Sequence, residues 1–287
     1  MTAFSEQDIA DYYDQTRVHF TYFWKLKQAR ALHYGIWKTE TRSFTDALNN
    51  TSDLAFYLAD VKRDQPLLDA GCGVGGSSIR AALTIGCEVE GISLSHRQVA
   101  EANKLAAELG VNSSAHFSRQ SYLNTTFAND HFGSAIAIES MSSTDDTAMF
   151  LKEMFRILRP GSKLCVLDFF KQEGADAHSA PHLYTYLNCW AISDVETRSS
   201  FEQLLVGHGF IDVQVLSLNS EIRRSAWRMY VGGWLGRVGS WMYGIFRKTS
   251  PFARLHYKSG ISQWKSLQKG EWSYLAISAR KPEVERG

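Results

Sequence analysis

The chain predicts an α/β fold: a doubly wound sheet of seven strands with an antiparallel last strand, a helical N-terminal lid, and a helical insertion before that last strand. Three observations carry this. Pro66–Ser78 runs from apolar residues through an acid and a glycine loop into a helix start, which is strand, tight turn and helix. Five strand–helix alternations succeed one another, the pattern of a parallel sheet covered on both faces. Residues 219–270 then change composition, and Glu271–Arg280 alternates Trp272, Tyr274, Ala276 and Ser278 as a final strand.

Composition narrows the class. The 287 residues suffice for one large domain with additions, and 44% hydrophobic content supports a sizeable core. A formal net charge of +1 gives no global nucleic-acid footprint. Cys72, Cys87, Cys165 and Cys189 are widely spaced, and three sit in apolar or glycine-rich surroundings. That favours reduced, buried thiols over a disulfide framework or a metal site. Met1–Asp14 is polar and acidic, unlike a signal peptide, so a cytoplasmic location is expected.

Residues 1–44 form the N-terminal segment, with Ser5 capping a helix over Glu6–Tyr13 and a second helix over Thr16–Leu32. Its aromatics either pack on the core or make a lid that turns Tyr34 toward a ligand. Residues 45–218 form the core. It opens with a helix over Thr45–Ala59 and strand Leu67–Ala70, then a helix over Ser77–Thr84 and strand Glu88–Leu94. Ser95 with Gln98 reads as a capping box opening a helix that stops at Gly110. Strands over Ser114–Arg119 and the wholly apolar Phe132–Ile138 come next, as buried parallel strands do. Thr144–Leu158 is strongly amphipathic, Arg159-Pro160-Gly161 ends it, and Lys163–Phe169 is the fifth strand. Residues 171–192 read as an irregular link. Ser193-Asp194-Val195-Glu196 reads as a second capping box before a helix ending near Gly209, and Val213–Leu218 is the sixth strand. Residues 219–270 are the cap insertion, and 271–287 the last strand and tail.

The glycine loop alone is ambiguous. Gly71, Gly73 and Gly76 satisfy the dinucleotide pattern, and a bare tight turn with no ligand is the plainer reading. The motifs beyond the loop are more specific. Leu68-Asp69-Ala70-Gly71-Cys72-Gly73-Val74-Gly75, then Gly91-Ile92-Ser93-Leu94-Ser95 with Gln98, then Glu139-Ser140-Met141, then Leu158-Arg159-Pro160-Gly161 stand in order. With His33-Tyr34-Gly35-Ile36-Trp37, this series resembles class I S-adenosyl-L-methionine (SAM)-dependent methyltransferases. The likeness is to the small-molecule and lipid branch: tocopherol, sterol and cyclopropane-lipid methyltransferases. It covers roughly Leu67–Leu218 plus the last strand.

The resemblance implies a Rossmann-like core, SAM as cofactor and S-adenosyl-L-homocysteine (SAH) as product. It implies cofactor contacts at Tyr34, Asp69, Gly71, Gly73, Gly75, Ser93, Gln98, Ser121, Tyr122 and Glu139. It implies in-line methyl transfer to a small, largely apolar, lipid- or isoprenoid-like acceptor, with Tyr34, Glu139 and His182 as catalytic candidates and no metal. His33 and His178 are further candidates for a base, and Asp168 is either structural or acceptor-facing. Three positions depart from the pattern. Ser93 stands where many relatives place an acid for the ribose, Ser121 where an aspartate meets adenine, and Ser143 where some carry a histidine.

The insertion carries Trp227, Trp234 and Trp241 every seventh residue among ten basic residues and one acid, Glu221. At about 100° per residue, Trp227, Val231, Trp234, Leu235, Val238, Trp241, Met242 and Ile245 share a face. Residues 222–247 therefore offer a peripheral membrane contact, a roof over an apolar acceptor, a homodimer contact, or ordinary cap packing. Rival activities remain: an N- or O-methyltransferase of a polar natural product, a cyclase or binding module on the same fold, or a nicotinamide dehydrogenase.

Overall fold

The computed structural model describes residues 30–31, 33–144, 146–244 and 251–283, with 237–244 and 251–256 described by backbone alone. The two expected N-terminal helices lie outside the described residues, apart from Arg30 and Ala31, which are not helical.

The sheet contains β1 (Leu67–Ala70), β2 (Val89–Ser93), β3 (Ala115–Arg119), β4 (Phe132–Ile138), β5 (Leu158–Lys171), β6 (Ile211–Ser217) and β7 (Trp272–Arg280). Its order is β3-β2-β1-β4-β5-β7-β6. The first five strands pair in parallel, and β7 runs antiparallel to both β5 and β6. The expected seven-stranded topology, including the antiparallel last strand, is the one observed.

Helices α1 (Phe44–Leu58), α2 (Gly76–Thr84), α3 (His96–Glu108), α4 (Thr147–Ile157), α5 (Pro181–Cys189), α6 (Arg198–Gly207), α7 (Arg223–Gly244) and α8 (Pro251–Gln268) surround it. Alternation along the strands divides the core. Leu67, Ile136 and Leu167 point to one cluster, with Ala55 and Phe56 of α1 and Ile79 of α2. Leu68, Ala135 and Val166 point to the other, with Phe150 of α4 and Phe201 of α6. Both faces are thus buried, which is why apolar residues point to both sides of these strands.

Several boundaries differ from expectation. The link over 171–192 holds α5, whose first turn takes Pro181, a residue that needs no N–H partner there. No helix starts at Ser193. Asp194 instead accepts from Lys171 Nζ at 2.5 Å and Tyr184 Oη at 2.9 Å, and α6 is capped by Thr197, which accepts from Ser200 N. Helix α4 starts three residues late because Asp146 caps it, accepting from Met149 N. Strand β5 reaches back to Leu158, which pairs with Phe132.

The insertion forms α7 and α8, which approach closely through glycine. A Cβ on Gly260 would stand 2.4 Å from Met229 O, and one on Gly233 2.8 Å from Tyr257 O. Helix α7 and the residue before it bury Ile222, Ser225, Ala226 and Met229, whereas Trp227, Val231, Trp234 and Leu235 are exposed. The described half of the expected tryptophan face therefore looks outward. Not all its arginines do: Arg224 lies over the Trp37 ring and Arg228 over Phe44, tying the cap to the chain before and at α1. Among the described residues no helix is long and apolar enough to cross a membrane.

Candidate active site

A cleft opens at the C-terminal ends of β1, β2, β3 and β4. Strand order reverses between β1 and β4, so the cleft lies at the crevice where ligands bind in open α/β sheets.

The β1 turn supplies one wall. Asp69 is buried and its Oδ2 accepts from Ser78 Oγ at 2.6 Å. Burial pushes its carboxyl up to about 6, partly offset by Ser78. Gly71 and Gly73 line the cleft. Gly73 adopts φ +54°, and a Cβ there would meet nothing within 4 Å because it would project into open space. Gly75 does not line the cleft. It has φ +83°, and a Cβ would stand 2.8 Å from the Phe117 ring, so this glycine serves packing of the loop on β3.

The β2 end supplies Ser93 and Gln98. Ser95 caps α3 through Gln98 N at 3.1 Å, as expected. The Gln98 side chain turns to β2 instead, where its Oε1 accepts from Ser93 Oγ at 2.7 Å. Cap and strand end thereby fix two cleft-lining polar groups against each other. Beyond β3, Gln120 and Tyr122 line the cleft and Ser121 between them does not. Ser121 Oγ accepts from Leu123 N at 3.2 Å. Tyr122 Oη donates to Ser140 O at 2.9 Å and its ring packs edge-on against Phe150.

Glu139, just past β4, is the most unusual residue. It is non-glycine at φ +48°, a conformation kept only where surroundings enforce it. Its Oε1 accepts from Tyr34 N at 2.6 Å and Tyr274 Oη at 2.8 Å. Burial pushes its carboxyl up to about 8; the Tyr34 N–H lowers it, nearby Asp168 raises it, and Tyr274 lowers it.

Behind Glu139 the groups come from distant segments. Tyr34 is fully buried outside the cleft lining, and its Oη donates to Gln263 Oε1 at 2.8 Å, with Tyr186 Oη at 3.4 Å. Asp168 also lies outside the lining and accepts from Ser142 N and Phe169 N, so it braces the turn after β4. His182 is half-buried in the first turn of α5, and His178 is exposed; neither lines the cleft. His33 does line it, together with Arg30, Gly76 and Gln120, which sequence reasoning had not placed in a binding site. Gly76 had a signal, as the third glycine of the dinucleotide pattern. Arg30 and Gln120 had none.

Comparison with known proteins fixes the family. The sequence profile described as mycolic acid cyclopropane synthetase matches residues 2–188. The chain belongs to the mycolic acid cyclopropane synthetase family. It is an enzyme of the SAM-dependent methyltransferase class. Among relatives, it is 26% identical to (+)-O-methylkolavelool synthase of Herpetosiphon aurantiacus, over 77% of this chain and 76% of that one. Among solved structures, the [4+2]-cyclase SpnF superposes with a TM-score of 0.82 at 22% identity, covering 99% of this chain and 98% of that one. Geranyl diphosphate C-methyltransferase from Streptomyces coelicolor A3(2), in complex with Mg2+, geranyl diphosphate and SAH, superposes with a TM-score of 0.74 at 16% identity, covering 98% and 100%. These structural likenesses are likenesses of fold.

Proposed function

We propose that this member transfers the SAM methyl group to a small, largely apolar, isoprenoid-like acceptor in the cleft at the β1–β4 switch point. The observation that carries the reading is that one cleft collects Asp69, the open face of Gly73, the Ser93–Gln98 pair, Gln120, Tyr122 and Glu139. That set suits SAM. Gly73 leaves the room that backbone approach needs, Ser93 and Gln98 can meet ribose hydroxyls, Gln120 and Tyr122 border the position for the base, and Asp69 and Glu139 favour a cationic end.

Bound SAM supplies an already activated methyl group. The chain's task is to hold the acceptor in line and to exclude water. Glu139 is placed for more than binding. Its raised carboxyl is poised near neutral pH, so once ionised it can orient the sulfonium side or take a proton from the acceptor. Tyr34 acts through Glu139, which it holds by its backbone N–H, rather than through its own hydroxyl. His182 has no part in this reading, because it does not line the cleft. The acceptor class is supported by a relative named geranyl diphosphate 2-C-methyltransferase, from Saccharopolyspora erythraea.

Incubation with methyl-labelled SAM and a panel of isoprenoid alcohols, geranyl diphosphate and polar natural products tests the reading. Label is expected in an isoprenoid product. Label in polar products alone overturns the acceptor class. A product formed without label favours the cyclase reading. The exposed Trp227, Val231, Trp234 and Leu235 support a peripheral contact of residues 222–247 with an anionic lipid surface.

A further inference from the structure

Glu139 receives both of its side-chain hydrogen bonds on one oxygen. Oε1 accepts from Tyr34 N at 2.6 Å and from Tyr274 Oη at 2.8 Å. Among the described residues no donor meets Oε2, and Glu139 lines the cleft, so Oε2 is the oxygen left for a bound molecule. The Glu139 N–H is tied to Leu167 O of β5 at 2.8 Å. Backbone and Oε1 are thus fixed from two sides, which maintains the φ of +48°.

Tyr274 is held rigidly for this contact. It belongs to β7, between β5 and β6, and stands opposite Phe169 of β5. Its N–H donates to Asn219 Oδ1 at 2.7 Å, and its C=O accepts from Leu218 N at 2.9 Å. Its ring is fully buried and edge-on to Tyr34, with centroids 5.5 Å apart. A buried phenol needs an acceptor, and Glu139 Oε1 provides it. Tyr274 lies outside the cleft lining, so it acts on a bound molecule only through Glu139. The other ionisable groups around the carboxylate are Asp168 of β5, Tyr186 of α5 and Tyr34, and Asp69, His33 and Arg30 line the same cleft. Among the described residues Tyr274 alone gives Glu139 a side-chain donor. Burial raises the carboxyl to about 8, and the Tyr274 hydroxyl works against that rise because it stabilises the charged form.

We propose that Tyr274 is a positioning residue for methyl transfer: its hydroxyl holds Glu139 Oε1 so that Oε2 faces the acceptor, and it stabilises the ionised carboxylate. This rests on the reading of Glu139 as the group that takes the acceptor's proton. The surplus proton passes to Oε2 as the acceptor bonds the methyl carbon and sulfur keeps the electron pair of the broken bond. Oε1 is then a carbonyl oxygen that still accepts from Tyr34 N and Tyr274 Oη, so neither partner has to move during turnover.

The test reads Glu139 directly and then turnover. Infrared difference spectra between each protein and the same protein carrying Glu139→Gln isolate the Glu139 carboxylate across pH, without any ligand. Tyr274→Phe removes the hydroxyl and keeps the ring. Its Glu139 midpoint is expected about one pH unit above that of wild type, the worth of a charge-assisted hydrogen bond. A ring-fluorinated tyrosine incorporated at position 274 has a more acidic hydroxyl. It should move the midpoint the other way, and it serves if Tyr274→Phe does not fold. Turnover of Tyr274→Phe with methyl-labelled SAM and a competent acceptor should fall roughly tenfold at pH 7 and recover above the shifted midpoint, with the KM for SAM unchanged. A midpoint that neither replacement moves overturns the proposal, as does a loss of turnover that is equal at every pH. A midpoint that moves as expected while the pH profile of turnover stays in place overturns instead the reading of Glu139 as the proton acceptor.

Discussion

The two sides of the cleft are built by different means. The side at β1 and β2 is made of backbone and short side chains: two glycines, a strand-end acid, and a serine fixed by the cap of the next helix. Its parts lie within about thirty residues of one another, between Asp69 and Gln98. The side behind Glu139 is made of long side chains from remote segments. Tyr34, Tyr186, Gln263 and Tyr274 converge on one carboxylate and on each other, from the chain before α1, from α5, from α8 and from the last strand. The first side is a local motif that any acceptor chemistry can reuse. The second is a tertiary assembly, whose parts meet only in the folded chain.

Changing Glu139 should break that division most severely. Glu139→Gln keeps an acceptor for Tyr34 N and Tyr274 Oη but cannot ionise. Turnover with a competent acceptor should fall by roughly 100-fold or more if Glu139 handles a proton, with SAH affinity changed far less. A fall of SAH affinity as large as that of turnover would place Glu139 on the cofactor side alone.

Next in size is the Tyr34–Gln263 bond. Both residues are fully buried, and Gln263 Nε2 also donates to Ala226 O and Gly260 O, so one amide ties Tyr34 to both cap helices. Gln263→Leu leaves the Tyr34 hydroxyl only its longer contact with Tyr186 Oη, removes the donor to Ala226 O, and should cost about 1–3 kcal/mol in denaturant unfolding. Tyr34→Phe leaves Oε1 of Gln263 without its donor and Tyr186 Oη without its neighbour, and should cost about the low end of that range. Unchanged stability in both would show that the cap is not anchored there.

The pH response separates the two sides further. Asp69 is raised to about 6 and Glu139 to about 8, so the folded state keeps protons that the unfolded chain has already released. The contribution of these groups to stability is full below about pH 4 and is lost as pH rises through those two values. Thermal melting of the apo protein should therefore fall from about pH 4 to about pH 8, and in Glu139→Gln the part of the fall above about pH 6 should be missing. A parallel fall in both proteins would remove Glu139 as the cause.

The smallest effect on the core is expected at the outer face of α7. Trp227→Ser with Trp234→Ser should reduce co-sedimentation with anionic liposomes at low salt and leave SAH binding unchanged, since both rings are exposed. Wild type that ignores such vesicles would turn attention to a second copy of the chain as the occupant.

Legibility in the sequence divides along the same line. All seven strands were visible, the buried parallel Phe132–Ile138 as a nearly continuous apolar run and the antiparallel Trp272–Arg280 by its alternation. So were Asp69, Gly73, Ser93 and Gln98, whose places depend on neighbours in sequence. Gly75 looked like a cofactor glycine but answers to Phe117 from another strand. Helix α5 was missed because its burial is against tertiary partners; Leu183 N is held by Glu271, far along the chain. Tyr34 stands beside Glu139, yet its hydroxyl points to Gln263, a residue of the insertion that no local pattern connects to it.

Titration of SAM against wild type and Gly73→Asn tests the central claim most directly. Asparagine tolerates the left-handed backbone that Gly73 adopts, and it would fill the open space its missing side chain leaves. The cleft reading predicts tight binding to wild type, and binding at least roughly tenfold weaker to a variant that melts within a few degrees of it. A folded Gly73→Asn that binds SAM as wild type does would contradict the account.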